Sequence, residues 1–482
     1  MDTLVDIVVI VIILIVFIAI LLNSFDLGIY TSMDTFKSKY KTLRDTFQLN
    51  TPNISKISKS KKCNILENNE KEIIQKIAIN SNIINIVNDL DAILLNYYIK
   101  QDDKNILVSP FSLLSCSALL LQLLFNNPKY DSSEEHKQLI TMFKITDPIK
   151  FINDLSKTNA YLNKYINTYN SILINSNIII KDSYKKKIKL LGEYNSFDPT
   201  KAEDVVIDIN NDIKNKTNGM ISQFVTNNDI NPDTTIILLN NIYFKGSWVH
   251  KFNKSNTITK KFNGLKGEKQ VQMMILNKER FHYFEDVEKQ VICLEYESNY
   301  GNPHFLCKFR SHKCNPHSLC EFRSHECNED GDESQISMVI ILPRSTKNIY
   351  DINYDIKEVF NNLFKSSKKK VDIEIPKFEC TSSLNLIPFF KNHNVTKIFE
   401  SFDISSILEK EYNLPVLVSK FIQNTKVIVD ENGTEAAAIT LCINNKCMSN
   451  RTEIKHKFIA DHPFKYYIIH DKSLILFSGS FI

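Results

Sequence analysis

Apolar and polar positions divide the chain into three stretches. Ile7 to Leu22 runs without a charge. A helix of that length spans about 24 Å, close to the roughly 30 Å hydrocarbon core of a bilayer. The pattern predicts an uncleaved membrane anchor within residues 1–31. A cleaved signal peptide is the alternative, but a basic start and a small-residue cleavage site are missing. Residues 32–83 are mostly polar and contain SKISKSKK, which reads as a flexible linker. From residue 84 the pattern becomes that of a folded body. INIVNDLDAILLNYYI has helical spacing, and NILVSPFSLLSCSALLLQLL predicts a short strand, a Ser-Pro break and a buried helix. TTIILLNNIYFKGSW, SMVIILP and VDIEIPKF predict strands, and FKYYIIHDKSLILFSG a hairpin. Helices come mostly first and strands mostly later, which predicts an α+β fold with large antiparallel sheets.

Composition narrows the class. The chain has 482 residues, 43% hydrophobic and 24% charged, enough for a substantial core. A net charge of +4 is too mild to argue for nucleic acid as a partner. Asp2 and Asp6 precede the apolar segment, while Lys37, Lys39, Lys41 and Arg44 follow it. That bias leans towards a cytoplasmic body on a single N-terminal span, and it leaves the topology open. Six of the ten Cys are scattered without framework spacing. No G-x-S-x-G, Walker or HExxH motif occurs, so the chain does not read as an enzyme.

Five collinear stretches carry a resemblance. NILVSPFSLLSCSALL, TNGMI, LLNNIYFKGSW with Trp248 as the single Trp, VSKFIQNTKVIVDENGTEAAAIT and FIADHPFKYYIIH together resemble the serpin family of serine protease inhibitors across residues 84–482. The resemblance implies three β-sheets, surrounding helices and an exposed reactive loop, here residues 431–457. It also implies suicide inhibition: a serine protease cuts the loop, and the loop inserts into the central sheet. No cofactor is required for that. The implied polar cluster beneath the sheet is Ser109, Ser112, Asn240 and Gln423, with Trp248 near the upper end. Gln423 stands where the family usually has His; an amide donates and accepts like the ring but cannot titrate.

The loop itself can be tested for insertion. Its hinge comprises Glu431, Gly433, Thr434, Glu435, Ala436, Ala437 and Ala438. No Pro occurs from Thr434 to Arg451, as a central strand demands. Alternate residues Thr434, Ala436, Ala438, Thr440 and Cys442 are small and uncharged, so they suit the inward face. Family spacing counted back from Pro463 places the cut at Arg451-Thr452, which suits a trypsin-like protease. Counted forward from Gly433 it lands on Cys447-Met448, with Lys446-Cys447 as a further candidate. Asn432 and Asn450 head N-x-T sequons in this region, and Asn53, Asn215, Asn253 and Asn394 head others. A glycan on either of the first two would obstruct the loop.

A second feature departs from the family. Residues 303–328 write a thirteen-residue unit twice, PHFLCKFRSHKCN and PHSLCEFRSHECN, within an insert at 299–335. The copies offer His304, Cys307, His312 and Cys314, then His317, Cys320, His325 and Cys327. These are ligand types for zinc. Disulfides are a second reading, and a recent duplication without a ligand is a third. The rival functions are therefore a non-inhibitory serpin used as a surface binding or structural protein, and a metal- or redox-responsive one.

Overall fold

The computed structural model describes residues 79–482 apart from 102, 125–132, 218, 220–224, 298–334, 345–348, 350–353 and 435–455. The described helices are α1 (Ser81–Ile99), α2 (Pro110–Leu124), α3 (Glu134–Met142), α4 (Pro148–Leu162), α5 (Asp182–Ile188), α6 (Ala202–Lys216), α7 (Ile356–Lys365) and α8 (Ile387–Asn392). Every residue of α2 is buried, as its nearly unbroken apolar run requires. Its start has a local cause. Pro110 supplies a preset φ at the first turn, and Ser109 Oγ accepts from the Ser112 N–H at 3.2 Å.

One sheet carries the site. It contains β2 (Asn167–Asn175), β3 (Glu193–Phe197), β4 (Ile236–Tyr243), β5 (Gly246–Ser247), β11 (Phe378–Asn385), β12 (Val418–Val429) and β13 (Gly433–Thr434). Their order is β3-β2-β4-β12-β13-β5, with β11 on the other edge of β12. β4 and β12 run parallel, from Val418 opposite Ile236 to Lys426 opposite Tyr243. All eight residues of β4 are buried, which is why it is apolar on both faces, broken by Asn240 and Asn241, rather than alternating. One face packs on the main core around α2 through Leu238, Ile242, Phe421 and Val427. The opposite face packs Ile237, Leu239 and Ile422 against Val206, Ile209 and Ile213 of α6.

The second sheet contains β1 (Ile106–Val108), β6 (Ile258–Gly264), β7 (Gly267–Glu285), β8 (Lys289–Glu295), β9 (Ile336–Pro343), β10 (Lys368–Pro376), β14 (His456–Ile459), β15 (Phe464–His470) and β16 (Leu474–Phe481). Two sheets are therefore found among the described residues, where three were expected. The cause is β7. It pairs β6 and β10 along its first part and β8 at its end, so one long strand joins two ladders into a single sheet. The carboxyl-terminal hairpin is β15 on β16.

The membrane-anchored reading is corrected. Among the described residues no helix is long and apolar enough to cross a membrane. The apolar segment 7–22 that prompted the reading lies outside the described residues, as does nearly all of the expected linker. The anchor, the membrane as partner and the membrane location are withdrawn. The tandem repeat and loop residues 435–455, with Arg451, Thr452, Lys446, Cys447, Met448 and hinge residues Glu435 to Ala438, also lie outside.

Candidate functional site

The site is built around the turn that leaves β12. Asp430 closes it: its Oδ1 accepts from the N–H groups of Asn432 at 2.8 Å and Gly433 at 3.2 Å. The chain then doubles back, and Gly433 meets β5 at very close range. A Cβ built there would lie 2.0 Å from the Gly246 carbonyl oxygen, and the φ of +153° is one that side chains rarely adopt. Only glycine fits.

The next residue is paired with a strand on each side. Thr434 is opposite Val429 of β12 on one side and Gly246 of β5 on the other. It is fully buried, and its hydroxyl shares a 2.7 Å hydrogen bond with the Tyr296 hydroxyl. Tyr296 stacks on Trp248, with ring centroids 4.3 Å apart and planes 18° from parallel. The Trp248 indole N–H donates to the Asp430 carbonyl at 2.9 Å, and the Trp248 backbone N–H to the Asn432 carbonyl at 2.8 Å. Sequence reasoning found Trp248 but missed Tyr296; its signal was an aromatic residue closing the strand LEY.

Glu431 holds the turn from the side. Its carboxylate accepts from Thr257 Oγ1 at 2.9 Å and pairs with Lys377 Nζ at 3.0 Å, while its side chain is only 5% exposed. Burial pushes the carboxyl up. Bonds from its own N–H, Lys377 and Thr257 outweigh that and hold it below the usual glutamate range. Thr257 and Lys377 also escaped the sequence reading, because each is an ordinary surface residue type far away in the chain.

Below the turn, β4 and β12 meet directly, and the polar cluster lies across their seam. Gln423 Oε1 accepts from the Ser109 N–H at 3.0 Å, and its amide N–H groups donate to the Ser109 carbonyl at 2.9 Å and Asn240 Oδ1 at 2.6 Å. Asn240 Nδ2 donates to the Ser112 hydroxyl, to the Ser112 carbonyl at 3.1 Å and to Asn170 Oδ1 at 2.6 Å. Ser109, Ser112, Asn240 and Gln423 are each 0% exposed. Their donors and acceptors satisfy one another, so the cluster is affordable in an apolar core. Asn170 is a member that the sequence did not reveal.

The repeat has an unexpected neighbour. The insert leaves after Glu297, whose N–H donates to the Ser247 carbonyl at 2.7 Å, and Tyr296 one step earlier is the residue that holds Thr434. Far apart in sequence, the insert's near flank and the hinge touch. Among the described residues no group of three or more His, Cys, Asp or Glu is arranged to hold a metal ion. The eight candidate ligands of the repeat lie outside them.

Comparison with known proteins agrees with this geometry. The family model Serpin (serine protease inhibitor) matches residues 86–312 and 327–482. Serpin B8 of Homo sapiens is 27% identical over 394 residues, covering 79% of this chain and 94% of that protein. Serine proteinase inhibitor 1 of Vaccinia virus (strain Western Reserve) is 27% identical over 396 residues, covering 80% and 97%. Among solved structures, Serpin48 of the insect Tenebrio molitor superposes with a TM-score of 0.66 at 21% identity, covering 84% of this chain and 98% of that one. The last likeness speaks for the fold alone. With the family model matched across nearly all of residues 86–482, the chain belongs to the serpin family, as a non-catalytic protease inhibitor that requires no cofactor.

Proposed function

We propose that the chain is a single-use conformational trap for trypsin-like serine proteases, cut at Arg451-Thr452, with the loop inserting between β4 and β12. In that scheme the protease serine attacks the Arg451 carbonyl and forms an ester. The amine of Thr452 leaves, and insertion outruns hydrolysis of the ester.

The observation that carries the reading is Thr434, already paired on both sides in the gap above the β4–β12 seam. Extending that ladder downwards is free of register conflict. Gln423 is opposite Asn240 in the closed seam, and stepping from Thr434 along either strand assigns the same loop residue, Thr440, to the slot between them. Thr440 belongs to the inward class. Its hydroxyl would reach the two amides that insertion separates, so the buried cluster regains a partner. The other inward residues, Ala436, Ala438 and Cys442, are small enough for a packed core.

Incubation with trypsin tests the proposal. The expected product is a complex stable to SDS, with a released fragment whose amino terminus is Thr452. Cleaved loop without complex would favour the non-inhibitory surface-binding rival. A fragment beginning at Cys447 or Met448 would move the cut to Lys446 or Cys447.

A second reading has one observation in its favour. Tyr296 flanks the insert and grips Thr434, so ligation or oxidation of the His/Cys repeat has a short route to the hinge. Under this reading zinc, or a disulfide, alters the rate of complex formation. Deletion of residues 303–328 should then abolish any zinc or thiol dependence of that rate; a rate indifferent to zinc and reductant in the full chain rules the reading out.

A further inference from the structure

The seam between β4 and β12 carries a second amide pair, on the face opposite the polar cluster. Asn241 and Asn424 are register partners one step along from Asn240 and Gln423. Asn424 Nδ2 donates to Asn241 Oδ1 at 3.2 Å, and the two residues are 3% and 2% exposed. Their neighbours along this face are Leu239 and Ile422, packed beneath α6. The pair is a polar break in an apolar row, directly across strands that must part.

We infer that Asn241 and Asn424 form a latch on the seam, and that it sets how fast the sheet opens and so how often a cleaved loop traps its protease. The inference rests on the insertion reading. A new strand would separate the two amides by two strand spacings, roughly 10 Å, beyond any direct hydrogen bond. The two faces then differ. In an inserted strand that kept the register of Thr434, the Thr440 hydroxyl would fall on the Gln423–Asn240 side and the apolar Ile439 on the Asn241–Asn424 side. The first pair regains a partner from the strand, and the second loses one. The Asn pair therefore favours the closed seam over the open one, whereas an apolar pair would pack against Ile439 in the inserted sheet.

The test uses the full chain and a synthetic peptide with the sequence of residues 434–445. Uptake of the peptide is timed on native gels, and complex against cleaved protein is counted after trypsin. In the double variant Asn241→Leu with Asn424→Leu, uptake should be about fivefold faster, the factor expected for one net buried hydrogen bond, with fewer molecules cleaved per protease trapped. Asn241→Leu and Asn424→Leu alone should give non-additive effects, since each strands its partner amide. If the Leu pair fails to give a cooperative unfolding transition, a Val pair, suited to strands, replaces it. Uptake by wild type at a rate the apolar pair leaves unchanged overturns the latch and leaves the insertion reading standing. If wild type neither takes up peptide nor forms complex, the insertion reading falls and the latch with it.

Discussion

Gln423 and Asn240 face each other across the seam of two parallel strands, joined by a 2.6 Å amide–amide hydrogen bond that any inserted strand must break. Gln423→Leu would leave the Ser109 N–H and carbonyl and Asn240 Oδ1 without this partner in a fully buried site. The expected loss is about 2–4 kcal/mol of native stability, read as a lowered thermal midpoint. Gln423→His should keep more of the stability and add a pH dependence. A buried ring has its pKa pushed below the unfolded value of about 6.5, so the unfolded chain binds the proton more readily. Stability of this variant should be fully present above that pH and fall as the pH drops through it. Thermal midpoints between pH 5 and 8, against wild type, check both statements. An equal pH slope in the two proteins would show that residue 423 does not face a closed, apolar site.

Thr434 offers a separate handle, because it is buried and aimed at Tyr296. Thr434→Arg places an unpaired guanidinium where the first inserting residue must go, and burying such a charge costs far more than the lost hydroxyl bond. The variant should still be cut, yet form no complex stable to SDS. Complex formation at the wild-type yield would mean that insertion does not pass through this position.

Glu431 predicts an acid-sensitive hinge. Its carboxyl lies below the ordinary glutamate value of 4.5 in the folded state. The contribution is therefore present above pH 4.5 and lost as pH falls through the folded value. Lys377 is 44% exposed, which screens the ion-pair share. Glu431→Gln should cost about 1–2 kcal/mol at pH 7, mostly through its charged hydrogen bonds. The gap between variant and wild type in urea unfolding should narrow as pH falls below 4.5 and through the lower folded value. A gap that stays constant would assign the stability to shape rather than charge.

Much of this was legible in residue order, and the exceptions have physical causes. The apolar run of β4, the Ser-Pro start of α2 and the Gly433 pivot are local, and each could be read from a few neighbouring residues. Tyr296, Lys377, Thr257 and Asn170 could not be read that way. Each reaches the site through pairing between distant segments, and nothing in its own neighbourhood distinguishes it. The expected third sheet is not separate among the described residues for a related reason: 19-residue β7 runs through two ladders and joins them, and strand length in context is set by its partners. The anchor shows the opposite error, in which a local apolar pattern was given a role that the described fold does not support.

Trp248 makes hinge movement directly observable. It is the only Trp in the chain, it is 1% exposed, and it stacks on Tyr296 while donating to the Asp430 carbonyl. The β5 and β13 strands beside it are the ones that a descending loop would pull on. Under the insertion proposal, Trp emission should change on mixing with protease, at the rate at which complex appears on SDS gels. In Thr434→Arg, cleavage should proceed while the emission stays flat, because cutting a distant bond leaves the ring's surroundings intact. Trp248→Phe separates the roles of the ring. It keeps the stack on Tyr296 and removes the N–H to Asp430, at an expected cost of about 1 kcal/mol. An emission change tracking cleavage in Thr434→Arg would show that the signal follows loop release, and that hinge and seam are not coupled through Trp248.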